Sequence, residues 1–224
     1  GQGRCDLYLC TRKGDRWSQP RNLGAPVNTG AWESQPTFSI DGRTLYFVSD
    51  RKGGYGGLDI WKTVFTDRGW TEPENLGPAI NTAGDEMSPF IHYDDHTLYF
   101  ASNGHIGMGG HDLFVAHRQE DGSWGMPQNL GFPINTEGDE TNLIVSADGT
   151  TAYYSSDRKG GFGKQDIYRF DLPVEARPMV TICMKGRVTD LASGNKVSAQ
   201  VQVIDLQSGD IVATTTSDAQ TGRY

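Results

Sequence analysis

The sequence predicts an all-β fold made of copies of one unit. A segment of about fifty residues recurs three times, each copy consists of short β-type runs separated by Gly, Asp, Asn and Pro, and no stretch has the period of an amphipathic helix. The 224 residues include 29 Gly and 10 Pro, a share typical of turn-rich chains. Four strands in a repeat of this length predict one blade of a β-propeller.

Two sets of residues mark the repeat. They are Trp17, Trp70 and Trp124 near its start, and Asp6, Asp59, Asp112 and Asp166 near its end. Successive members of each set lie 53 or 54 residues apart, so insertions are almost absent. Because propellers close with about four to eight blades, we expect three full blades and the end of a preceding one, which together form part of a truncated propeller.

Within the first unit, β-type runs at 37–40, 44–49 and 58–64 predict three strands, and the segment around Trp17 or Trp70 predicts the fourth. Asp41-Gly42 and Asp148-Gly149 are typical of hairpin turns that need a positive φ. The aromatic residues of these runs, together with the three repeated tryptophans, are expected to pack between blades.

The net charge of −8, from 20 Lys and Arg against 28 Asp and Glu, excludes a general nucleic-acid binder. No apolar run approaches the roughly 18 residues of a membrane-spanning helix. Cys5, Cys10 and Cys183 are few, odd in number and without CxxC spacing, so neither a disulfide framework nor a zinc site is predicted. We interpret them as ordinary small residues on strands.

The repeat pattern SxDGxTLYFxSxRxGGxGxxDIW resembles the WD40-like repeat of TolB-type propellers, and its WxxPxNLGxxINTxxxE segment resembles versions in envelope proteins of Bacteroidetes. The resemblance covers residues 3–172 and implies a propeller over 1–172. The second unit departs from it at 93–96, which lacks Asp-Gly, and at 103–105, which lacks Asp-Arg-Lys.

Residues 173–178 contain two prolines and predict a linker, and residues 179–224 predict the start of a β-sandwich. Apolar residues alternate with polar ones around a hairpin turn at 207–210. The pattern GRVTDxxSGxxVxAxVxVxDxxSG resembles the carboxypeptidase regulatory-like domain, of which only about 45 residues are present against the roughly 100 of a full sandwich.

A propeller followed by this module resembles periplasmic proteins of the OmpA family, including those associated with type IX secretion. The resemblance implies a periplasmic location at the outer membrane and partners that are envelope proteins or peptides. In that family a further domain, which is not in this sequence, holds peptidoglycan.

A second set of repeated acidic residues precedes the strand expected to be innermost. It comprises Glu33, Asp85, Glu86, Asp139 and Glu140. The resemblance places one such group per blade near a channel mouth, where carboxylates attract a cation or a basic peptide. The alternative is that each glutamate caps backbone amides of its own turn or of the next blade.

The Gly-rich loops add three more predictions. The aspartates that follow them, such as Asp59, either lock the turn by a hydrogen bond or ligate calcium, and the first is favoured because each loop supplies one acidic group. Loop charges such as Arg51 and Arg158 are interpreted as solvated or as weak ion pairs. Equivalent apolar tips predict a partner surface at Tyr55, Met108 and Phe162.

The sequence contains no GxSxG, HExxH or P-loop motif, so it does not predict a catalytic site of these kinds. Five histidines, His92, His96, His105, His111 and His117, cluster in the second unit without metal-ligand spacing. The sequence therefore predicts a non-catalytic interaction scaffold without cofactor or metal. Two alternatives stay open: a glycosidic or peptidic hydrolase or its substrate-gating domain, and a calcium-binding adhesin-like module.

Overall fold

The computed structural model describes residues 1–180 and 184–224. The chain forms two compact units, Gly1–Thr181 and Ile182–Tyr224. The described elements are strands apart from one 3-10 helix at Val174–Ala176, which confirms the all-β prediction. The segment predicted as a linker packs on the first unit instead, since Ala176 is buried and its carbonyl accepts the Tyr99 hydroxyl at 2.6 Å.

The first unit contains four antiparallel sheets and a small hairpin. The first sheet pairs β1 (Tyr8–Leu9) with β4 (Arg21–Asn22), and the hairpin is β2 (Arg12–Lys13) with β3 (Arg16–Trp17). The second sheet holds β5 (Glu33–Phe38), β6 (Thr44–Ser49), β7 (Asp59–Thr66), β8 (Gly69–Trp70) and β9 (Glu74–Asn75). The third holds β10 (Glu86–Ile91), β11 (Thr97–Ser102), β12 (Asp112–His117) and β13 (Gln128–Asn129), and the fourth holds β14 (Glu140–Val145), β15 (Thr151–Ser156) and β16 (Asp166–Asp171).

Each large sheet is a three-stranded meander that belongs to one repeat. A short fourth strand comes from the start of the next repeat: β9 pairs with β7, and β13 pairs with β12. The predicted strand around Trp70 is confirmed as well, because β8 pairs Trp70 with Phe65 of β7. β9 begins four residues beyond this tryptophan.

The first strand of each meander starts earlier than the sequence predicts. β5 begins at Glu33 rather than at residue 37, and pairs Glu33 with Ser49 and Ser34 with Val48 before a bulge. Gln35 in the bulge has φ of 52°, and Pro36 follows it. Because the bulge breaks the alternation of apolar and polar residues, the pattern of the sequence conceals the first half of this strand.

The predicted Asp-Gly turns are present between the first two strands. Gly42 has φ of 66° and Gly149 has φ of 71°. The Asp148 carboxylate accepts the Ser146 hydroxyl at 2.6 Å, and this bond, with those from Thr150, lowers the pKa of Asp148 to about 2. In the second repeat, Asp95 stands at the position of this glycine and has φ of 55°.

The hydrophobic cores lie between successive sheets. One core contains Tyr46, Ile60, Ile80, Leu98 and Phe114 and joins the second sheet to the third. Another joins the third sheet to the fourth, and a smaller one joins the first sheet to the second. Equivalent first strands lie side by side, with β10 between β5 and β14. This is the stacking of propeller blades, while the number of blades in a closed ring stays a prediction.

The repeated tryptophans do not share one environment. Trp70 packs on the Phe65 ring at 5.0 Å, and Trp124 lies 4.9 Å from the Arg118 guanidinium. Trp17 is 66% exposed, so its predicted packing between blades is wrong. The reason is local: Arg12 is paired with Trp17 where Phe65 is paired with Trp70, and no aromatic ring is there to receive it.

The second unit contains the hairpin of β17 (Gln200–Ile204) and β18 (Ile211–Thr216), which confirms the predicted hairpin. The Asp205 carboxylate accepts the backbone N–H of Gln207 at 2.7 Å and of Ser208 at 2.8 Å, and this closes the turn. The sandwich itself stays a prediction. Of the cysteines, Cys5 and Cys10 are free thiols outside the named strands, and Cys183 lies outside the described residues.

Candidate functional site

The Gly-rich loops between the second and third strands of each meander form the candidate site. They occupy residues 50–58, 103–111 and 157–165, and the segment before Asp6 is their counterpart in the partial repeat. Each loop ends at an aspartate that opens the third strand. The sequence of each loop contains three or four glycines, so its shape depends on contacts rather than on its own side chains.

The aspartate locks each loop by accepting the backbone N–H of its tip residue. The Tyr55 amide donates to Asp59 at 3.0 Å, the Met108 amide to Asp112 at 2.6 Å, and the Phe162 amide to Asp166 at 2.8 Å. Gln2 donates to Asp6 in the same way, at 2.6 Å. Burial raises the pKa of Asp59 and of Asp112, and the loop amides partly offset this effect.

The same loops dock on the next repeat through close backbone contacts. The Gly57 amide donates to the Gly84 carbonyl at 2.9 Å, and the Gly110 amide donates to the Gly138 carbonyl at 2.9 Å. A Cβ atom on Gly56 would lie 2.1 Å from the Gly84 carbonyl oxygen. Glycine is therefore required at this position by the neighbouring backbone, independently of φ.

Apolar side chains stand at the tips that the aspartates hold. Tyr55 and Met108 are each 52% exposed, and Phe162 is fully exposed. Because the amide of each tip residue is fixed by a carboxylate four residues later, the tips are presented in a defined conformation. An apolar group held in place loses little conformational entropy when a partner covers it.

The repeated glutamates lie in the protein interior, so the predicted position at a channel mouth is wrong and the alternative, a cap of the turn, is confirmed. Glu33, Glu86 and Glu140 have no exposed surface. Glu86 accepts the Thr82 amide at 2.6 Å and its hydroxyl at 2.7 Å, together with the Ser102 hydroxyl at 2.6 Å. Each glutamate thus caps its own turn and bonds it to the end of the second strand. Because the carboxylate is buried, a cation in solution cannot reach it.

Asp85 and Asp139 bond to the preceding repeat. The Asp85 carboxylate accepts the Leu58 amide at 2.8 Å, and the Asp139 carboxylate accepts the His111 amide at 2.8 Å. The side-chain bond from His111 to Asp139, at 2.9 Å, holds the pKa of that carboxyl below its ordinary value. These two aspartates are partly exposed, and one carboxylate oxygen of each bonds to the neighbouring loop.

Two arginines predicted as solvated or as weak ion pairs, Arg51 and Arg158, are largely covered by other residues. The Arg51 side chain is 10% exposed, lies 4.9 Å from the Phe47 ring, and donates to the Pro26 carbonyl at 3.2 Å. The Arg158 guanidinium lies 4.7 Å from the Tyr168 ring and donates to the Pro133 carbonyl at 3.0 Å. The solvated alternative is wrong because aromatic rings of adjacent strands cover both guanidinium groups. The ion-pair alternative is present in both repeats, since Arg51 lies 3.3 Å from Glu33 and Arg158 lies 3.8 Å from Glu140.

The histidines of the second repeat are dispersed. His92 lies 3.1 Å from the Ser146 carbonyl, His105 lies 2.8 Å from the Ile80 carbonyl, and His111 is bonded to Asp139. His105 occupies the place of the two arginines, bonded to the same turn of its repeat. Within residues 1–180 and 184–224, no three His, Cys, Asp or Glu side chains come together to hold a metal ion.

Sequence reasoning missed one set of equivalent polar residues, which lie at the bulges within the first strands of the three meanders. Gln35, Ser88 and Asn142 have φ between 52° and 55° although none is glycine. The Ser88 amide donates to Gln35 at 2.6 Å, and the Ser88 hydroxyl donates to Asn142 at 3.1 Å. Their sequence signal is a polar residue two positions after each repeated glutamate, and they border a small cleft of about 210 Å³.

Comparison with known proteins indicates the fold alone. No protein-family model matches the chain, and no curated protein matches it. A puromycin-hydrolyzing peptidase from Mycobacterium tuberculosis has a similar structure, with a TM-score of 0.51 and 18% identity over 94% of this chain and 37% of its own. TolB from Acinetobacter baumannii follows with a TM-score of 0.48 and 16% identity, over 99% of this chain and 52% of its own.

A putative TolB from Agrobacterium tumefaciens gives a TM-score of 0.43 and 15% identity, over 91% of this chain and 55% of its own. The chain thus spans about half the length of the two TolB structures and less of the peptidase. Among the described residues no helix is long and apolar enough to cross a membrane.

Proposed function

We propose that this chain is a non-catalytic protein-interaction scaffold, and that it captures its partner with the apolar tips of the Gly-rich loops. The observation that carries the proposal is the recurrence of one device: an exposed apolar residue at each tip, Tyr55, Met108 or Phe162, with its own amide held by a carboxylate. A fixed row of apolar groups supports binding to another protein surface.

The fate of the repeated carboxylates supports a binding role over a catalytic one. Glu86 and Glu140 are buried and capped, and Asp59 and Asp112 accept loop amides. A general acid or base needs an oxygen that substrate can reach, and these oxygens are turned toward the chain itself. Turnover of a chromogenic glycoside or peptide by the purified chain would contradict the proposal.

We place this scaffold in the bacterial cell envelope, in the periplasm and associated with the outer membrane. The support is the resemblance of residues 3–172 to WD40-like repeats of TolB-type and Bacteroidetes envelope proteins, and of residues 179–224 to the carboxypeptidase regulatory-like domain. This order of modules supports a peptidoglycan-associated, type IX secretion-like assembly, in which the wall is held by a separate domain.

The double variant Tyr55→Ala with Phe162→Ala tests the loop tips. Both side chains are exposed, so we expect capture of envelope proteins in a pull-down to fall severalfold while the melting temperature stays within about 2 °C. Phe132→Ala is the matched control, because Phe132 is a 76% exposed ring outside these loops. Equal capture by the double variant and the control would show that the tips are not the binding surface.

A further inference from the structure

A pocket of about 290 Å³ lies between the second and the third sheet. It is bordered by β7, by β9 and the turn after it, and by the hairpin that follows β12. Its charged lining residues are Lys62, Glu74 and Arg118. A further sheet packs on either side of these two sheets, so the pocket is an internal feature of the row of repeats.

Arg118 occupies a position that is apolar in the other repeats. Its backbone amide donates to the carbonyl of the residue before the second strand at 2.7 Å, and the amides of Phe65 and Leu172 form the same bond at 2.9 and 2.8 Å. Phe65 packs on the Trp70 ring, and Leu172 is 1% exposed in the core between the third and fourth sheets. Of these three equivalent positions, the one in the second repeat holds a charge.

Lys62 likewise stands where the next repeat has a core residue. Lys62 is paired with Tyr46 of β6, as Val115 is paired with Tyr99 of β11. Directly paired residues of antiparallel strands have their side chains on the same face, so Lys62 lies on the face that packs Tyr46 against the third sheet. Val115 is 1% exposed beside Tyr99. Apolar side chains thus close the next interface at the positions where this one presents two cations to a pocket.

The Arg118 guanidinium is held by neutral groups and has no counter-charge. Its Nη2 donates to the Tyr46 hydroxyl, and its carbon lies 4.9 Å from the Trp124 ring. Its Nε is buried and donates to no described residue. No carboxylate oxygen of the described residues lies within 4 Å of it, whereas Arg51 lies 3.3 Å from Glu33. A partly buried cation without an anion is costly, so an anion is the partner that this group lacks.

The acidic residues nearby do not supply this anion. The Glu74 carboxylate lies 3.2 Å from the Lys62 ammonium group and pairs with it. The Asp95 carboxylate accepts the Ile40 amide at 3.4 Å, and burial raises the pKa of Asp95, an effect that the charge of Arg118 offsets in part. The pocket therefore has two cationic groups, Lys62 and Arg118, against one carboxylate, and one negative charge would balance it.

The rest of the lining is apolar and selects the form of the anion. Leu76, Pro78 and Ala79 line the pocket together with Trp124. Its volume is just below the roughly 300 Å³ at which pockets for drug-sized ligands begin, so it suits a single side chain. A carboxylate on a short apolar stem fits both parts of the lining. A phosphate dianion would be repelled by Glu74, and a sugar would place hydroxyl groups against apolar walls.

We infer that this pocket binds the side-chain carboxylate of a glutamate or aspartate residue of a partner polypeptide, with Arg118 as the main donor and Lys62 as the second. Hydrogen bonds between a guanidinium and a carboxylate are charge-assisted and directional. The inference deepens the proposed function and rests on it, because it names an acidic side chain as one group of the partner. The loop tips and this pocket are lined by different residues and have separate tests.

The test titrates the full ¹⁵N-labelled chain with N-acetyl-glutamate methylamide at constant ionic strength, and follows the indole N–H of Trp124 by NMR. We expect a saturable shift with a Kd of about 1–5 mM, and at least about tenfold weaker binding of N-acetyl-glutamine methylamide, which has the same shape without the charge. Arg118→Leu, which copies Leu172, is expected to abolish the shift, and Lys62→Val, which copies Val115, to weaken binding severalfold. Arg68→Leu at an exposed turn is the control and is expected to bind as the unchanged chain does.

Equal binding of the two compounds, or no saturation up to about 50 mM, would overturn the inference. If Arg118→Leu does not fold, Lys62→Val decides, and binding equal to that of the Arg68→Leu control would count against the pocket. Tighter binding of glucuronate than of the glutamate compound would assign the pocket to a sugar and so overturn the ligand named here. Failed titrations together with a pull-down that still depends on Tyr55 and Phe162 would sink this inference and leave the proposed function standing.

Discussion

At the level of single residues, three buried glutamates hold the turns that precede the first strand of each meander. Glu33, Glu86 and Glu140 each accept the amide and the hydroxyl of a threonine four residues earlier. The cost of burying a charge is offset because every bond to it is charge-assisted. The residue type that resembles a catalytic or cation-binding group in the sequence is here the cap of a turn.

Glu86→Gln tests this cap. Glutamine keeps one acceptor oxygen but places an NH₂ group against the donors of Thr82 or Ser102, so we expect the free energy of unfolding to fall by about 1–3 kcal/mol. Urea denaturation followed by tryptophan fluorescence measures it. The matched control is Glu120→Gln at an exposed position. Coincident denaturation midpoints for the two variants would contradict a structural role for Glu86.

Sequence reasoning was effective at residues whose role depends on near neighbours in the chain. Asp59 lies four residues after Tyr55, and the turn that it locks follows from that spacing. Gln35 was missed because a polar residue two positions after a glutamate does not by itself indicate a positive φ. The burial of Arg51 was missed because Phe47 and Trp61 cover it from two strands of the folded sheet.

At the level of the element, the structural unit is the three-stranded meander together with the short strand of the next repeat that pairs with its third strand. The turn that follows each short strand is held by a side chain of the next Gly-rich loop, which bonds to a backbone carbonyl of the turn. This side chain belongs to Arg51, His105 or Arg158. Arg158 donates its Nε to Ser156 at 3.2 Å and its Nη1 to Pro133 at 3.0 Å. A planar group with several fixed donors suits two acceptors that lie in different directions.

Arg158→Lys separates the effect of the planar guanidinium with its several donors from the effect of the positive charge. Lysine keeps the positive charge but has one donor group, so it cannot reach Ser156 and Pro133 together, and its stacking on the Tyr168 ring is weaker. We expect a loss of about 1–2 kcal/mol in the free energy of unfolding, measured by thermal and urea denaturation. Arg68→Lys at an exposed turn is the control. An equal free energy of unfolding for Arg158→Lys and Arg68→Lys would show that only the charge of Arg158 contributes to stability.

For the whole molecule, the position of each sheet in the row of repeats determines how much of it is buried, and therefore how stable it is. A middle sheet is covered on both faces, and all six residues of β11 are buried. The fourth sheet is covered on one face, so the residues of β16 alternate between partly buried and exposed. In the second unit all six residues of β18 are exposed. An isolated two-stranded hairpin is marginally stable in water.

Amide hydrogen exchange of the intact chain tests this order. Exchange needs an opening whose free energy grows with the buried area that the opening exposes. We expect the amides of β11 to be the slowest, the amides of β16 that face β15 to be intermediate, and those of β17 and β18 to exchange at least about a hundredfold faster than β11. Backbone NMR resolves the three groups in one sample. Equal protection of β11 and β18 would mean that the hairpin unfolds only together with the repeats, and the stability of the chain would then belong to one cooperative body rather than to its two compact units.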